Sequence, residues 1–197
     1  MFDGTVTAKS SKTRWLRGIL AGAVPAVIAA LVLAQPVPAV AKACSHQNAD
    51  PGAISASSAE RAVLCLLNKQ RARNGVGKLK RHRDLDKPSA RHSKLMVRDK
   101  CFDHVCPGED DLDERIAGYL SEAVGGYGYG ENIAWGSGSF GSPRNIVRSW
   151  MKSEGHRRNI LNPDFEHIGI GIVWGSPEGG LNGDAGTYTT DFGYRDD

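Results

Sequence analysis

Between residues 168 and 174 the chain changes period. Ile168-Gly169-Ile170-Gly171-Ile172-Val173-Trp174 sets large apolar residues alternately against glycine, the two-residue repeat of a strand with unlike faces. Thr187 to Phe192 reads as a second strand, reached through the glycine-rich stretch 175–186. Upstream, the apolar residues recur at helical spacing. Ser57 and Ser58 can cap a helix from Ala59 to Arg73 with Val63, Leu66 and Leu67 on one stripe, and Gly75 stops it. Asp86, with Pro88 in the first turn, opens a second helix to about Asp99. The acidic run Glu109 to Glu114 dresses a third helix start. Ser142-Pro143 opens a fourth helix, which runs through Lys152 and buries Ile146, Val147 and Trp150. The glycine-rich segment 125–130 reads as a loop. Helices first and strands last predict an α+β fold: a small antiparallel sheet covered by helices.

The N-terminal segment stands apart. Arg14 and Arg17 precede an apolar run from Ile19 to Ala34, and Ala41-Lys42-Ala43 puts small residues where a signal peptidase reads. Residues 1–43 are therefore expected to be a secretory signal peptide. Its run of about 16 apolar residues is short of the ~20 that span a bilayer, so no stable membrane span is expected after cleavage. Residues 44–57 read as an irregular lead-in and 58–197 as one domain, expected to be a monomer. The chain's net charge of +3 belongs to the leader. Without its five Lys/Arg and one Asp, 20 basic and 21 acidic residues remain, so nothing electrostatic argues for nucleic-acid binding.

All four cysteines follow the leader. An even count in an exported chain predicts two disulfides. Of three pairings, Cys44–Cys65 and Cys101–Cys106 is preferred. It ties the new N-terminus to the first helix and closes a small loop around His104. A metal site on Cys101 and Cys106 is the rival, but no second close Cys/His pair completes it.

Three polar runs carry the chemistry: Phe102-Asp103-His104, Gly130-Glu131-Asn132, and Ser153-Glu154-Gly155-His156-Arg157-Arg158. Each has a plain reading. His104 suits an exposed loop histidine, Glu131 a carboxylate holding backbone N–H groups, and His156 an imidazole at the negative end of a helix. Glu154 is unfavourable at that end and needs an offset from Arg157, Arg158, a bound cation or solvent. Read together, His104, Glu131 and His156 form a three-ligand set that leaves a coordination position open, and zinc suits it best. The acidic run 109–114 is a second candidate cation site, though it lacks the alternation and central glycine of a calcium loop. Nothing around Ser153 resembles a nucleophile elbow. His46, His82 and His167 carry no distinguishing context. His92 reads as a packing or surface residue, and Asp191 and Ser93 as too common to weigh.

The chain resembles the bacterial branch of the CAP superfamily, also called the SCP domain: cysteine-rich secretory, antigen five and pathogenesis-related proteins. The resemblance rests on Leu67-Asn68-Lys69-Gln70-Arg71, His92-Ser93-Lys94-Leu95-Met96, Phe102-Asp103-His104, Gly130-Glu131-Asn132-Ile133-Ala134, Trp150-Met151-Lys152-Ser153, Gly155-His156-Arg157-Arg158-Asn159-Ile160-Leu161, Ile168-Gly169-Ile170-Gly171 and Asp191-Phe192-Gly193. It implies an α-β-α sandwich. It also implies a cavity tetrad of two His and two Glu, of which His104 and Glu131 match. The second Glu position falls on Ser153, one residue before Glu154. The second His of eukaryotic relatives falls in Thr187-Tyr188-Thr189, which leaves His156 as the candidate. The resemblance further implies a secreted binding or effector protein with a lipid, cell-wall glycan or protein partner. The expectation is a ligand-binding cleft built by His104, Glu131, Glu154 and His156, with or without a divalent metal. A metal-dependent hydrolase using Glu131 or Glu154 as base is the alternative, and a purely structural polar network is the third reading.

Overall fold

The computed structural model describes residues 43–181 and 183–196, so the expected signal segment lies outside it apart from Ala43. The elements in chain order are α1 (Ala56–Arg73), β1 (Lys80–Arg81), α2 (Arg83–Asp99), the short α3 (Leu112–Arg115) and α4 (Ala117–Leu120), and β2 (Tyr127–Ser137). A 3-10 turn (Gly138–Gly141) then leads to α5 (Pro143–Lys152), α6 (Glu154–Leu161), β3 (His167–Trp174) and β4 (Ala185–Arg195). The sheet order is β1-β3-β4-β2. β4 pairs antiparallel with both β2 and β3, while the two-residue β1 runs parallel to β3, so the expected antiparallel sheet is mixed at one edge.

The period-two pattern builds two unlike faces. Ile168, Ile170 and Ile172 of β3, with Tyr188, Phe192 and Tyr194 of β4 and Ala134 of β2, enter the main apolar core beside residues of α1, α5 and α6. Trp150 of α5 is fully buried there, and its indole N–H donates to Ile133 O at 3.1 Å. Gly169 and Gly171 point the other way, to α2. A Cβ on Gly169 would lie 2.1 Å from the Leu85 carbonyl, and one on Gly171 2.3 Å from the Ser89–Ala90 backbone. These glycines are therefore required by close approach: α2 lies directly on the sheet. With helices on both faces, the α+β fold is an α-β-α sandwich.

Several boundaries differ from expectation. Ser55 rather than Ser57 or Ser58 caps α1, accepting from Ser58 N. α2 begins three residues before Asp86, with Asp84 and Asp86 in its first turn and Pro88 inside. The segment expected as a loop at 125–130 becomes strand from Tyr127 onward. Its glycines are small for their neighbours' sake: a Cβ on Gly128 would meet the Tyr194 ring at 2.4 Å, and one on Gly130 the Asn159 amide at 3.0 Å. Residues 154–161 form α6 rather than a loop. The preferred disulfide pairing is the one present, with Cα–Cα distances of 5.8 Å for Cys44–Cys65 and 5.9 Å for Cys101–Cys106.

Gly171→Ala should push α2 off β3 and destabilise the fold by about 3 kcal/mol in urea unfolding. Gly118→Ala, whose Cβ would meet nothing within 4 Å, should leave stability unchanged or raise it by up to about 1 kcal/mol.

Candidate functional site

On the α2 face the apolar core is split. Leu85, Leu112, Ile116 and Tyr119 form one cluster, and Met96, Cys106 and Ile133 another. Buried polar residues lie between them: Ser89, His92 and Ser93 of α2, Glu131 of β2, and Thr189 and Asp191 of β4. Helical spacing puts 89, 92, 93 and 96 on one stripe of α2, and strand pairing sets Glu131 directly opposite Asp191.

Glu131 is the centre of this seam. Its side chain is wholly buried, and both carboxylate oxygens are engaged. Oε1 meets His104 Nδ1 at 2.6 Å, and Oε2 accepts from Arg115 Nη2 at 2.8 Å. Arg115, on α3, also lies 3.3 Å from Glu109 and donates to His104 O at 3.1 Å. Glu109 in turn takes His92 Nδ1 at 2.8 and 2.9 Å and the Cys106 N–H at 3.3 Å. One guanidinium thus stands between two buried carboxylates and holds the loop that carries His104. That loop is closed by the Cys101–Cys106 bridge.

The environments separate the titrations. Burial pushes the Glu131 carboxyl up, but the His104 hydrogen bond and the charges of Arg115, His92 and His104 hold it, on balance, below its ordinary value. Asp191 goes well above its ordinary value, through burial first and the Glu131 charge second. Burial also lowers the His92 pKa. The Ser89 hydroxyl has one hydrogen and two oxygen neighbours, Leu85 O at 2.7 Å and Asp191 Oδ2 at 2.8 Å. The single hydrogen is shared between the two acceptors, and the bond to Asp191 works against the rise without cancelling it. His92 Nδ1 faces a carboxylate, which assigns it the ring proton and leaves Nε2 with a lone pair, 3.9 Å from Glu131 Oε1. Among the described residues, His92 Nε2, His104 Nε2, Arg115 Nε and Asp191 Oδ1 are buried and have no hydrogen-bond partner.

His104 and Glu131, two of the four expected cleft residues, therefore meet. The other two do not join them. Glu131 and Asn132 are adjacent in β2 and point to opposite faces. α6 packs on the Asn132 face, where the Asn132 amide donates to His156 O at 3.1 Å and Asn159 Nδ2 donates to Asn132 Oδ1 at 3.0 Å. His156 is buried there, its Nδ1 2.7 Å from Ser153 Oγ. The sheet thus stands between His156 and Glu131, and the expectation of one shared hollow is corrected. Glu154 is 92% exposed, begins α6 and lies 3.6 Å from Arg158. At a helix N-terminus its charge is favourable, so it needs no bound cation as offset.

The zinc expectation meets the same obstacle. His104, Glu131 and His156 do not bring three donor atoms to one point, and both Glu131 oxygens already have cationic or N–H partners. Among the described residues, the trio whose ligand atoms all lie within 4.8 Å of one another is His82, Asp84 and Glu122. It lies outside the polar seam, and its Glu122 is held 2.5 Å from Arg195.

Two concavities adjoin the network. His104 lines a cavity of about 250 Å³ together with Val105, Asp111, Leu112, Asp113 and Tyr129. Glu109 lines a wider groove beside the Cys101–Cys106 bridge. Sequence reasoning missed His92, Glu109, Arg115 and Asp191 as members of the site. The available signal was the run of polar residues at 89, 92 and 93, interrupting a stripe that begins at Leu85 and ends at Met96.

Comparison with known proteins places this architecture. The CAP family, described as the cysteine-rich secretory protein family, matches residues 64–188. The chain belongs to that family. It is 35% identical over 143 residues to the Bacillus subtilis protein YkwD, covering 71% of this chain and 51% of the relative. It is 31% identical over 121 residues to the B. subtilis membrane protein YlbC, covering 59% of this chain and 32% of the relative. The chain thus spans about half and about a third of those two proteins. Two solved structures share the fold. An outer surface protein from Borrelia burgdorferi has a TM-score of 0.60 at 16% identity, over 73% of this chain and 97% of that one. An extracellular protein containing an SCP domain from Bacillus anthracis has a TM-score of 0.54 at 23% identity, over 71% and 43%. Among the described residues of this chain, no helix is long and apolar enough to cross a membrane.

The raised Asp191 pKa has a sign that can be checked. A carboxyl whose folded pKa exceeds its unfolded one stabilises fully below the unfolded pKa, and that contribution is lost as pH rises through the folded pKa. Asp191→Asn abolishes the titration while its amide oxygen can still accept from Ser89 Oγ. As pH rises above the ordinary Asp value of about 4, urea unfolding should show wild type losing stability relative to Asp191→Asn. A flat difference or the opposite slope would contradict a protonated Asp191.

Proposed function

We propose that this chain is an exported ligand-binding module acting at or outside the cell envelope, and that its recognition surface is the cavity beside His104. Export is supported by the leader-like segment 1–43 and by two disulfides in the chain that follows it. The observation that carries the binding reading is the placement of His104. It is the member of the buried network that also lines the 250 Å³ cavity, and its ring is set by the 2.6 Å contact with Glu131 and by a disulfide-closed loop. A group fixed before the ligand arrives loses little freedom on binding.

The geometry favours binding over hydrolysis. A general base must reach the proton it abstracts, whereas Glu131 is wholly buried with both oxygens engaged. In this reading Glu131 is the support of His104. The lipid, glycan and protein partners expected from the family remain candidate classes for the ligand.

Binding of the purified chain to peptidoglycan sacculi and to phosphatidylglycerol vesicles, measured by sedimentation, tests the reading. His104→Ala should weaken the binding arm by about tenfold, a loss of ~1.4 kcal/mol. His104→Gln, which keeps an N–H donor toward Glu131, controls for loss of the loop. If neither arm binds, or if both variants bind as wild type while folded, the proposal fails.

A further inference from the structure

Resting on that reading, we infer that the cavity beside His104 takes a primary ammonium group on an alkyl stem, the chemistry of a lysine-type side chain in a peptide. The walls divide by character. Leu112 and Val105 are apolar, and Val105 is 40% exposed. Tyr129 contributes an aromatic ring, with Tyr127 stacked on it at a centroid distance of 6.4 Å and an interplanar angle of 12°. Tyr127 is itself 41% exposed, so two of the exposed large apolar side chains flank this cavity. Exposed apolar surface beside a concavity marks a place where something binds.

The charge is one-sided. Asp111 and Asp113 both line the cavity. Asp113 Oδ1 accepts the Glu114 N–H at 3.0 Å, and Asp111 precedes α3 without a side-chain cap bond. Among the described residues, neither carboxylate has a Lys, Arg or His within ion-pair distance. The nearby cation, Arg115, is already committed to Glu131 and Glu109 at 2.8 and 3.3 Å. The field is felt at Tyr129, whose phenol is pushed up by burial and then by the charge of Asp113, with Asp111 adding to it. Two uncompensated carboxylates beside an aromatic ring attract an ammonium through its charge and through the ring face. The apolar walls suit the methylenes that carry it. An anionic or purely apolar ligand would leave both carboxylates opposed or unpartnered.

The test uses the full disulfide-bonded chain and isothermal titration with Nα-acetyl-lysine methylamide. Its Nε-acetylated form and glucosamine are the comparison ligands. The ammonium ligand should bind, Nε-acetylation should weaken it by about tenfold, and Asp111→Asn with Asp113→Asn should weaken it by a similar factor. Both substitutions keep size and polarity, and the amide oxygen of Asp113→Asn still offers Glu114 N an acceptor. Absence of lysine binding, equal binding of the acetylated ligand, an unaffected double variant, or tighter binding of glucosamine would each overturn the inference. Retention on sacculi, measured in parallel, separates the two claims. Loss in His104→Ala but not in the aspartate variant removes the ammonium inference alone, and loss in neither removes the binding reading as well.

Discussion

The contact on which the rest depends is between α2 and the sheet. Gly169 and Gly171 carry no Cβ, and a Cβ at either would lie within 2.3 Å of α2 backbone. The helix therefore sits close enough for its own short side chains to touch strand residues. Ser93 Oγ reaches Thr189 Oγ1 at 2.8 Å and Gly171 O at 3.0 Å, and Ser89 reaches Asp191. Replacing the glycines with larger residues would separate the layers, and the seam would lose the short bonds that keep its polar groups satisfied.

Within that seam a single guanidinium decides the charge balance. Glu131 and Glu109 are both buried, and Arg115 lies between them with 5% of its side chain exposed. A buried carboxylate costs several kcal/mol unless it is paired and hydrogen-bonded. The pairing here holds the Glu131 carboxyl below its ordinary value, while burial first and the Glu131 charge second push Asp191 well above its own. His104 takes its place from the same arrangement, because Arg115 donates to its carbonyl while Glu131 holds its ring. The binding surface is thus the outer edge of an electrostatically balanced interior.

Much of this is legible in the sequence, and the failures are informative. The alternation at 168–174 identifies β3, and its glycine face is the α2 contact. Cysteine positions point to the disulfide pairing, and ordered short runs point to the family. The start of β2 looks like a loop because glycine signals both turns and close packing, and nothing local shows that Tyr194 lies over Gly128. His156 groups with His104 and Glu131 in the sequence because the three runs share a loop-like look. Which face of the sheet each occupies depends on strand parity, and the parity of Glu131 is visible only once Tyr127–Ser137 is known to be a strand. His92, Arg115 and Asp191 look ordinary one by one, and their roles come entirely from long-range neighbours.

A carbon NMR titration of the Glu131 and Asp191 side-chain carboxyls in the intact chain reads the charge balance of the seam directly. At about pH 5, above the ordinary range for both groups, Glu131 should be ionised and Asp191 still protonated, because the two share one buried site in which only the former is paired with Arg115. Finding both ionised, or the proton on Glu131, would contradict the account.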